Sequence, residues 1–159
     1  MIKQGEKIPA RKLMAATPEG PREVDTAELF GTGKAVLFAV PGAFTPTCSG
    51  KHLPGFVQRA AEFKAKGVDR ILCLSVNDVY VMDAWRKDQK VGDAVILLAD
   101  GSAAFTRELG LELDLTDRGM GIRSQRFALI AENGVVTHLF VEQPGGFEVS
   151  RAEAVLKAL

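Results

Sequence analysis

The stretch that decides the fold is Ala35-Val36-Leu37-Phe38-Ala39-Val40, which runs directly into Pro41-Gly42-Ala43-Phe44-Thr45-Pro46-Thr47-Cys48. An unbroken apolar run of this length reads as a strand buried on both faces. Turn-forming residues follow it, and a helical pattern begins at Cys48. Such a strand-turn-helix unit places Cys48 in the first turn of a helix, where unpaired backbone N–H groups and the helix dipole favour negative charge. A thiol there is expected to ionise readily, and the thiolate is the nucleophilic form. His52, four residues on, would share a helical face with Cys48. Three readings fit this pair. Cys48 can be a small buried apolar residue, half of a Cys48–His52 metal site or hydrolase dyad, or a redox thiol. The flanking Thr, Pro, Gly and Ser mark a helix entrance, where a plain core cysteine is less expected.

Working outward, the segment through Gly33 reads as irregular, punctuated by Pro9, Pro18, Gly20 and Pro21. It contains a short helix near Asp25–Phe30, with Asp25 and Glu28 at capping-box spacing. The helix that starts at Cys48 should run to Lys66 and stop at Gly67, with Pro54 bending or interrupting it after the first turn. Arg70–Val76 and Ala94–Ala99 are two further buried strands. Between them Asn77 or Asp78 caps a helix through about Gln89. Asp100-Gly101 ends the second of these strands, Ser102 opens a short helix, and Gly110 closes it. Leu111–Ser124 reads as a loop, and two strands flank the hairpin signal Asn133-Gly134. Ser150 and Glu153 stand at capping-box spacing before a last helix. The order predicts an α/β fold with a mixed central sheet and helices on both faces.

Length and composition set the outer bounds. A chain of 159 residues, 47% apolar, fits a single domain over 1–159. With 20 basic and 20 acidic residues and no Lys/Arg block, nothing points to nucleic acid or a membrane surface. The first residues lack the apolar stretch of a secretory signal, and no run is long enough to span a bilayer. Two cysteines, Cys48 and Cys73, cannot make a disulfide framework, so a cytoplasmic location is expected. There is no CxxC, no HExxH and no carboxylate–histidine cluster at ligand spacing, so a metal site is not expected.

The segment Pro41-Gly42-Ala43-Phe44-Thr45-Pro46-Thr47-Cys48-Ser49, continuing through Lys51-His52-Leu53-Pro54-Gly55-Phe56, closely resembles the active-site loop of peroxiredoxins. It looks most like the peroxiredoxin 5 or plant-type II branch. The likeness extends to Ser75-Val76-Asn77-Asp78, Trp85, Arg123–Ala128 and Pro144-Gly145-Gly146-Phe147. It implies a thiol peroxidase on a thioredoxin-like fold, commonly a homodimer, without metal or organic cofactor.

On that resemblance Cys48 attacks the peroxide and becomes a sulfenic acid. Backbone N–H groups of the Thr47-Cys48 turn act like an oxyanion hole. The Thr45 hydroxyl is expected to accept from the peroxide while donating toward the sulfur. Pro41 shields the thiolate and fixes the loop. The fixed positive charge falls to Arg126, which precedes Phe127-Ala128-Leu129-Ile130 as the family's arginine precedes its strand. Arg123, three residues earlier, would point to the opposite face of extended chain, as a rim or loop charge. His52 can favour the thiolate or accept a proton, though the family's usual constellation omits it, and His138 reads as a surface or packing residue.

Cys73, mid-strand in an apolar run, reads as an inert buried thiol. The segment after Phe147 has no cysteine where one family member carries its resolving thiol. An outside thiol, glutathione with glutaredoxin first and thioredoxin second, is therefore expected to complete the cycle. Trp85 and Phe44 read as packing residues, with Phe44 a candidate for the dimer contact. The peroxide substrates expected are hydrogen peroxide and small alkyl hydroperoxides. The alternative is a redox sensor that relays Cys48 oxidation to a partner. A cysteine hydrolase lacks a third orienting residue, and a thioredoxin-like reductase lacks a second cysteine three residues after Cys48.

Overall fold

A computed structural model describes residues 1–159. Its centre is the predicted apolar run, strand β3 (Lys34–Ala39), preceded by β1 (Lys12–Thr17), β2 (Gly20–Asp25) and helix α1 (Thr26–Gly31). Then come a π-helical turn (Cys48–His52), α2 (Leu53–Gln58), α3 (Ala60–Ala65), β4 (Arg70–Ser75), α4 (Val79–Asp88), β5 (Ile96–Ala99) and α5 (Ala104–Leu109). The chain continues as β6 (Glu112–Leu115), a 3-10 turn, β7 (Gly121–Ser124), β8 (Phe127–Glu132), β9 (Val135–Val141) and α6 (Ala152–Lys157). Seven strands form one mixed sheet in the order β2-β1-β5-β4-β3-β8-β9. The β3, β4 and β5 strands are parallel, while β1, β8 and β9 run antiparallel to their neighbours.

Alternation along β3 divides the core, as the two-residue period of a strand requires. Val36, Phe38 and Val40 face a layer with Phe56, Phe63, Trp85 and Val155 from α2, α3, α4 and α6. Ala35, Leu37 and Ala39 face the other layer, with Phe30, Phe105 and Leu109 from α1 and α5. Helices therefore cover both faces, and the near-continuous apolar run reports that double burial.

Four local readings need correction. The segment before Gly33 is a hairpin, not irregular chain: β1 pairs with β2 on one side and β5 on the other. Its Ala15 and Ala16 are fully buried, yet alanine carries little strand preference, which hid the strand. Pro18 and Glu19 are its turn, and Pro21 is tolerated because β2 lies at the sheet edge. Likewise Leu111–Ser124 contains the separate β6–β7 hairpin.

The other two corrections concern caps. Ser102 does not open α5. The Asp100 carboxylate does, accepting from Phe105 N at 3.1 Å, Thr106 N at 2.7 Å and Thr106 Oγ1 at 2.6 Å. Ser150 does not cap α6 either, since its N-cap is Arg151 without a side-chain bond. The Asp25 cap forms with Ala27 N, and Asp78 caps α4 through Val81 N.

The helix after Cys48 is broken as Pro54 demands. Proline lacks the N–H and its ring clashes with the carbonyl four residues back. The turn ahead of it opens to i→i+5 spacing, with Leu53 N donating to Cys48 O. A second break falls at Arg59.

Asp100 is buried, and removing its carboxylate strands two backbone N–H groups and a hydroxyl. Asp100→Ala is expected to cost about 2–4 kcal/mol in urea unfolding, by loss of a helix cap and of buried partners.

Candidate active site

The sheet topology gathers the site at one end. The parallel strands β3 and β4 end at the same edge, so the Pro41–Cys48 loop and the Ser75–Asp78 segment lie together. Their contact is a hydrogen bond from Ala43 N to Asn77 Oδ1 at 3.0 Å. Antiparallel pairing sets Phe127, the first residue of β8, opposite Ala39, the last of β3. The residue before it, Arg126, is thereby delivered to the loop. Val141, the last residue of β9, stands opposite Phe127, and Glu142 N donates to Arg126 O at 3.0 Å.

Arg126 is the hub of the site. Its Nη2 donates to Cys48 Sγ at 3.1 Å, and its Nη1 lies 2.8 Å from His52 Nδ1. A guanidinium has donors only, so Nδ1 must accept. The other ring nitrogen, Nε2, lies 2.9 Å from the Ser150 carbonyl, which can only accept. Both neighbours therefore enforce one state: neutral imidazole with its proton on Nε2. Burial and then the Arg126 charge pull the His52 pKa down from 6.5 to about 3, against smaller opposing effects of Ser150 and Glu142. The sequence-level idea that His52 takes up a proton fails for this reason, because its one free lone pair is occupied by Arg126.

Around this chain the packing is aromatic. Phe38 stacks on Phe56 at 4.0 Å and meets the His52 ring at 4.9 Å. Phe147 meets the His52 ring edge-on at 5.1 Å, with Arg126 Cζ 5.8 Å from its centroid.

The remaining expected residues make other contacts. Thr45 Oγ1 donates to Gly42 O at 2.7 Å, so its proton serves the loop rather than the sulfur and its lone pairs face elsewhere. Arg123 Nε donates to Met120 O at 2.8 Å, and its Nη1 lies 3.5 Å from Pro41 O, bracing the loop. Thr47 has helical backbone and no side-chain cap bond. Trp85, fully buried, donates from Nε1 to Ser49 Oγ at 2.9 Å and pins the residue after Cys48. His138 is exposed and stacks at 6.0 Å on Phe140.

Pro41, Thr45, Pro46, Thr47 and Arg126 line a cleft of about 530 Å³. Leu113, Leu115 and Met120 of the β6–β7 hairpin supply its apolar lining, and the Glu142–Gly146 segment lines it as well. Cys48 and Cys73 are both free and buried. Cys73 pairs in register with Phe38, and burial, then the nearby Cys48, push its thiol pKa well up.

Sequence reasoning missed Glu142 and the Ser150 carbonyl. The spacing of Ser150 to Glu153 suggested a cap and concealed the other use of that serine.

Protonating His52 requires breaking its bond to Arg126, so the unfolded chain binds that proton first. Stability is thus expected to fall as pH drops through 6.5 toward 3. Between about pH 8 and about pH 5 the loss should be about 2 kcal/mol. Denaturant melts of a His52→Gln variant should lack this slope.

The Redoxin family model matches residues 3–156 of the chain. Peroxiredoxin-2E-2, chloroplastic, of Oryza sativa subsp. japonica is 54% identical over 99% of this chain and 72% of its own length. Peroxiredoxin-2E, chloroplastic, of Arabidopsis thaliana is 51% identical over 99% of this chain and 69% of its own length. The crystal structure of reduced Prx3 in complex with hydrogen peroxide from Vibrio vulnificus superposes with a TM-score of 0.93 at 53% identity, covering 99% of both chains. The mixed sheet is that of the thioredoxin-like peroxiredoxins, and the chain belongs to that family of thiol peroxidases, on the plant-type II side.

Proposed function

We propose that Cys48 reduces hydrogen peroxide and small alkyl hydroperoxides and that an external thiol restores it. The observation that carries this reading is the 3.1 Å contact of Arg126 Nη2 with Cys48 Sγ beneath the cleft. A permanent cation at that distance holds the sulfur in place and meets the charge that develops as the O–O bond breaks.

In the step itself the sulfur attacks the terminal oxygen of ROOH. An S–O bond forms, the O–O bond breaks, and RO⁻ leaves to take a proton from water. Cys48 loses two electrons to the peroxide and becomes a sulfenic acid. Thr45, whose proton is committed to Gly42, offers lone pairs to the peroxide hydroxyl. Backbone N–H groups of the Thr47-Cys48 turn and the free N–H groups of Arg126 are suited to hold the departing oxygen. Pro41 limits water at the sulfur. Arg126 both lines the cleft and donates to the buried Sγ, so it marks the side from which the oxidant approaches.

The cleft far exceeds the size of hydrogen peroxide and falls in the range of small-molecule sites. Its apolar lining suits the carbon end of an alkyl hydroperoxide, and its width suits a small thiol. Burial of Cys73 within β4 favours an outside reductant, glutathione with glutaredoxin or else thioredoxin. Two free cysteines fit a cytoplasmic setting. For the homodimer, the support is Phe44, 52% exposed with φ of 63°, on the loop that Asn77 ties to the start of α4.

Cys48→Ser should abolish peroxide reduction and leave the fold intact. Arg126→Ala should slow it by roughly 10²–10³-fold, the scale of losing a main electrostatic donor; near-normal activity would remove Arg126 from the chemistry. One equivalent of hydrogen peroxide, added to reduced protein without thiol, should add one oxygen trapped on Cys48 by a sulfenic-acid reagent. Loss of two hydrogens as a Cys48–Cys73 bridge would instead make the external thiol unnecessary. With glutathione and glutaredoxin present, Cys73→Ser should turn over at the wild-type rate.

A further inference from the structure

We propose that Glu142 and Ser150 are positioning residues for the peroxide step: Glu142 holds the 142–151 loop so that the Ser150 carbonyl fixes His52, and His52 fixes Arg126 against Cys48. This rests on the reading of Cys48 and Arg126 given above.

Glu142 is buried directly after β9, and its Oε2 accepts from Glu148 N at 2.8 Å, Ser150 N at 2.8 Å and Ser150 Oγ at 2.7 Å. Three donors converging on one oxygen call for a carboxylate rather than an amide or an acid. Burial opposes its charge, but the bonds from Ser150, Glu148 and Val149 outweigh it and hold the carboxyl below its usual range.

The serine is spent against its local preference. A serine just ahead of a helix ordinarily caps it. Here α6 goes without a side-chain cap while the Ser150 hydroxyl serves Glu142. The loop is also wrapped tightly. A Cβ on Gly146 would stand 3.0 Å from Gln143 O and 3.3 Å from Glu142 Oε1. From this anchored segment two groups reach the site: the Ser150 carbonyl at His52 Nε2, and the Phe147 ring beside His52 and Arg126. The carboxylate touches neither sulfur nor arginine side chain. Its effect passes through the histidine tautomer.

Glu142→Gln keeps the size of the side chain but not the charge, and Ser150→Ala removes only the hydroxyl. Stopped-flow rates of Cys48 sulfenic-acid formation should fall about 10-fold for Glu142→Gln, within the range that small misplacements cost. In the same variant, nitrogen-15 spectra of the His52 ring should change from a single Nε2–H tautomer to a mixture, a readout that loop stability alone would not move. In a His52→Gln background the Glu142→Gln change should cost nothing further, as expected of residues acting through one another. Unchanged rates and an unchanged His52 tautomer would overturn the proposal, as would full additivity with His52→Gln. Should Glu142→Gln fail to fold, Ser150→Ala decides by the same rate and spectrum. A wild-type protein that forms no sulfenic acid would instead refute the function itself, and the positioning role with it.

Discussion

A guanidinium carries five N–H donors and no acceptor, and the site follows from that constraint. Whatever meets Arg126 must accept. On one side the acceptor is Cys48 Sγ, and on the other it is His52 Nδ1. Each contact limits its owner's chemistry. The histidine is confined to its neutral form and cannot serve as a base at Nδ1. The sulfur gains from Arg126 a neighbour whose charge persists at any working pH. The site is therefore built around one fixed cation rather than around a titrating histidine.

Strand pairing makes this contact possible. The β3 strand is buried on both faces and cannot shift register without moving its apolar set, so the Pro41–Cys48 loop starts from a fixed point. Because β8 runs antiparallel to β3 and β9 antiparallel to β8, one strand entrance and one strand exit meet beside that loop. The entrance supplies Arg126 and the exit supplies Glu142. Had β8 run parallel to β3, its entrance and Arg126 would stand at the far end of the sheet. On the helical side, the wide turn ahead of Pro54 holds Cys48 and His52 so that the arginine stands between them.

The central architecture was legible because its signals are strong and local. The apolar runs of β3, β4 and β5, the Asn133-Gly134 hairpin and the Asp78 cap all appear near their predicted places. The β1 and β6–β7 strands were not legible. Ala15 and Ala16 gain their strand state from the sheet on both sides of them, a tertiary effect invisible in a window of sequence. Asp100 and Ser150 show the same limit for caps. Each position offered a plausible local partner, and a buried group elsewhere decided the outcome. At the site, Pro41, Thr45, Cys48 and Arg126 could be read from the resemblance, but their geometry could not. The direction of the Thr45 proton and the tautomer of His52 depend on Gly42 O and Ser150 O, backbone atoms that carry no residue signature.

The two thiols show what separates a reactive cysteine from an inert one, since both are fully buried. Cys73 lies in the middle of β4, opposite Phe38 on one side and Leu97 on the other. Desolvation dominates there, and the nearby Cys48 adds to it, so the proton is held. Cys48 lies in the same apolar layer but one step beyond the sheet edge, where a loop, a helix start and an incoming strand leave room for a cation. Arg126 donates directly to Cys48 and acts on Cys73 only as a minor effect behind burial. Burial excludes water from both sites equally. What differs is the donor placed against one sulfur, which gives Cys48 a direct charged hydrogen-bond partner that Cys73 lacks.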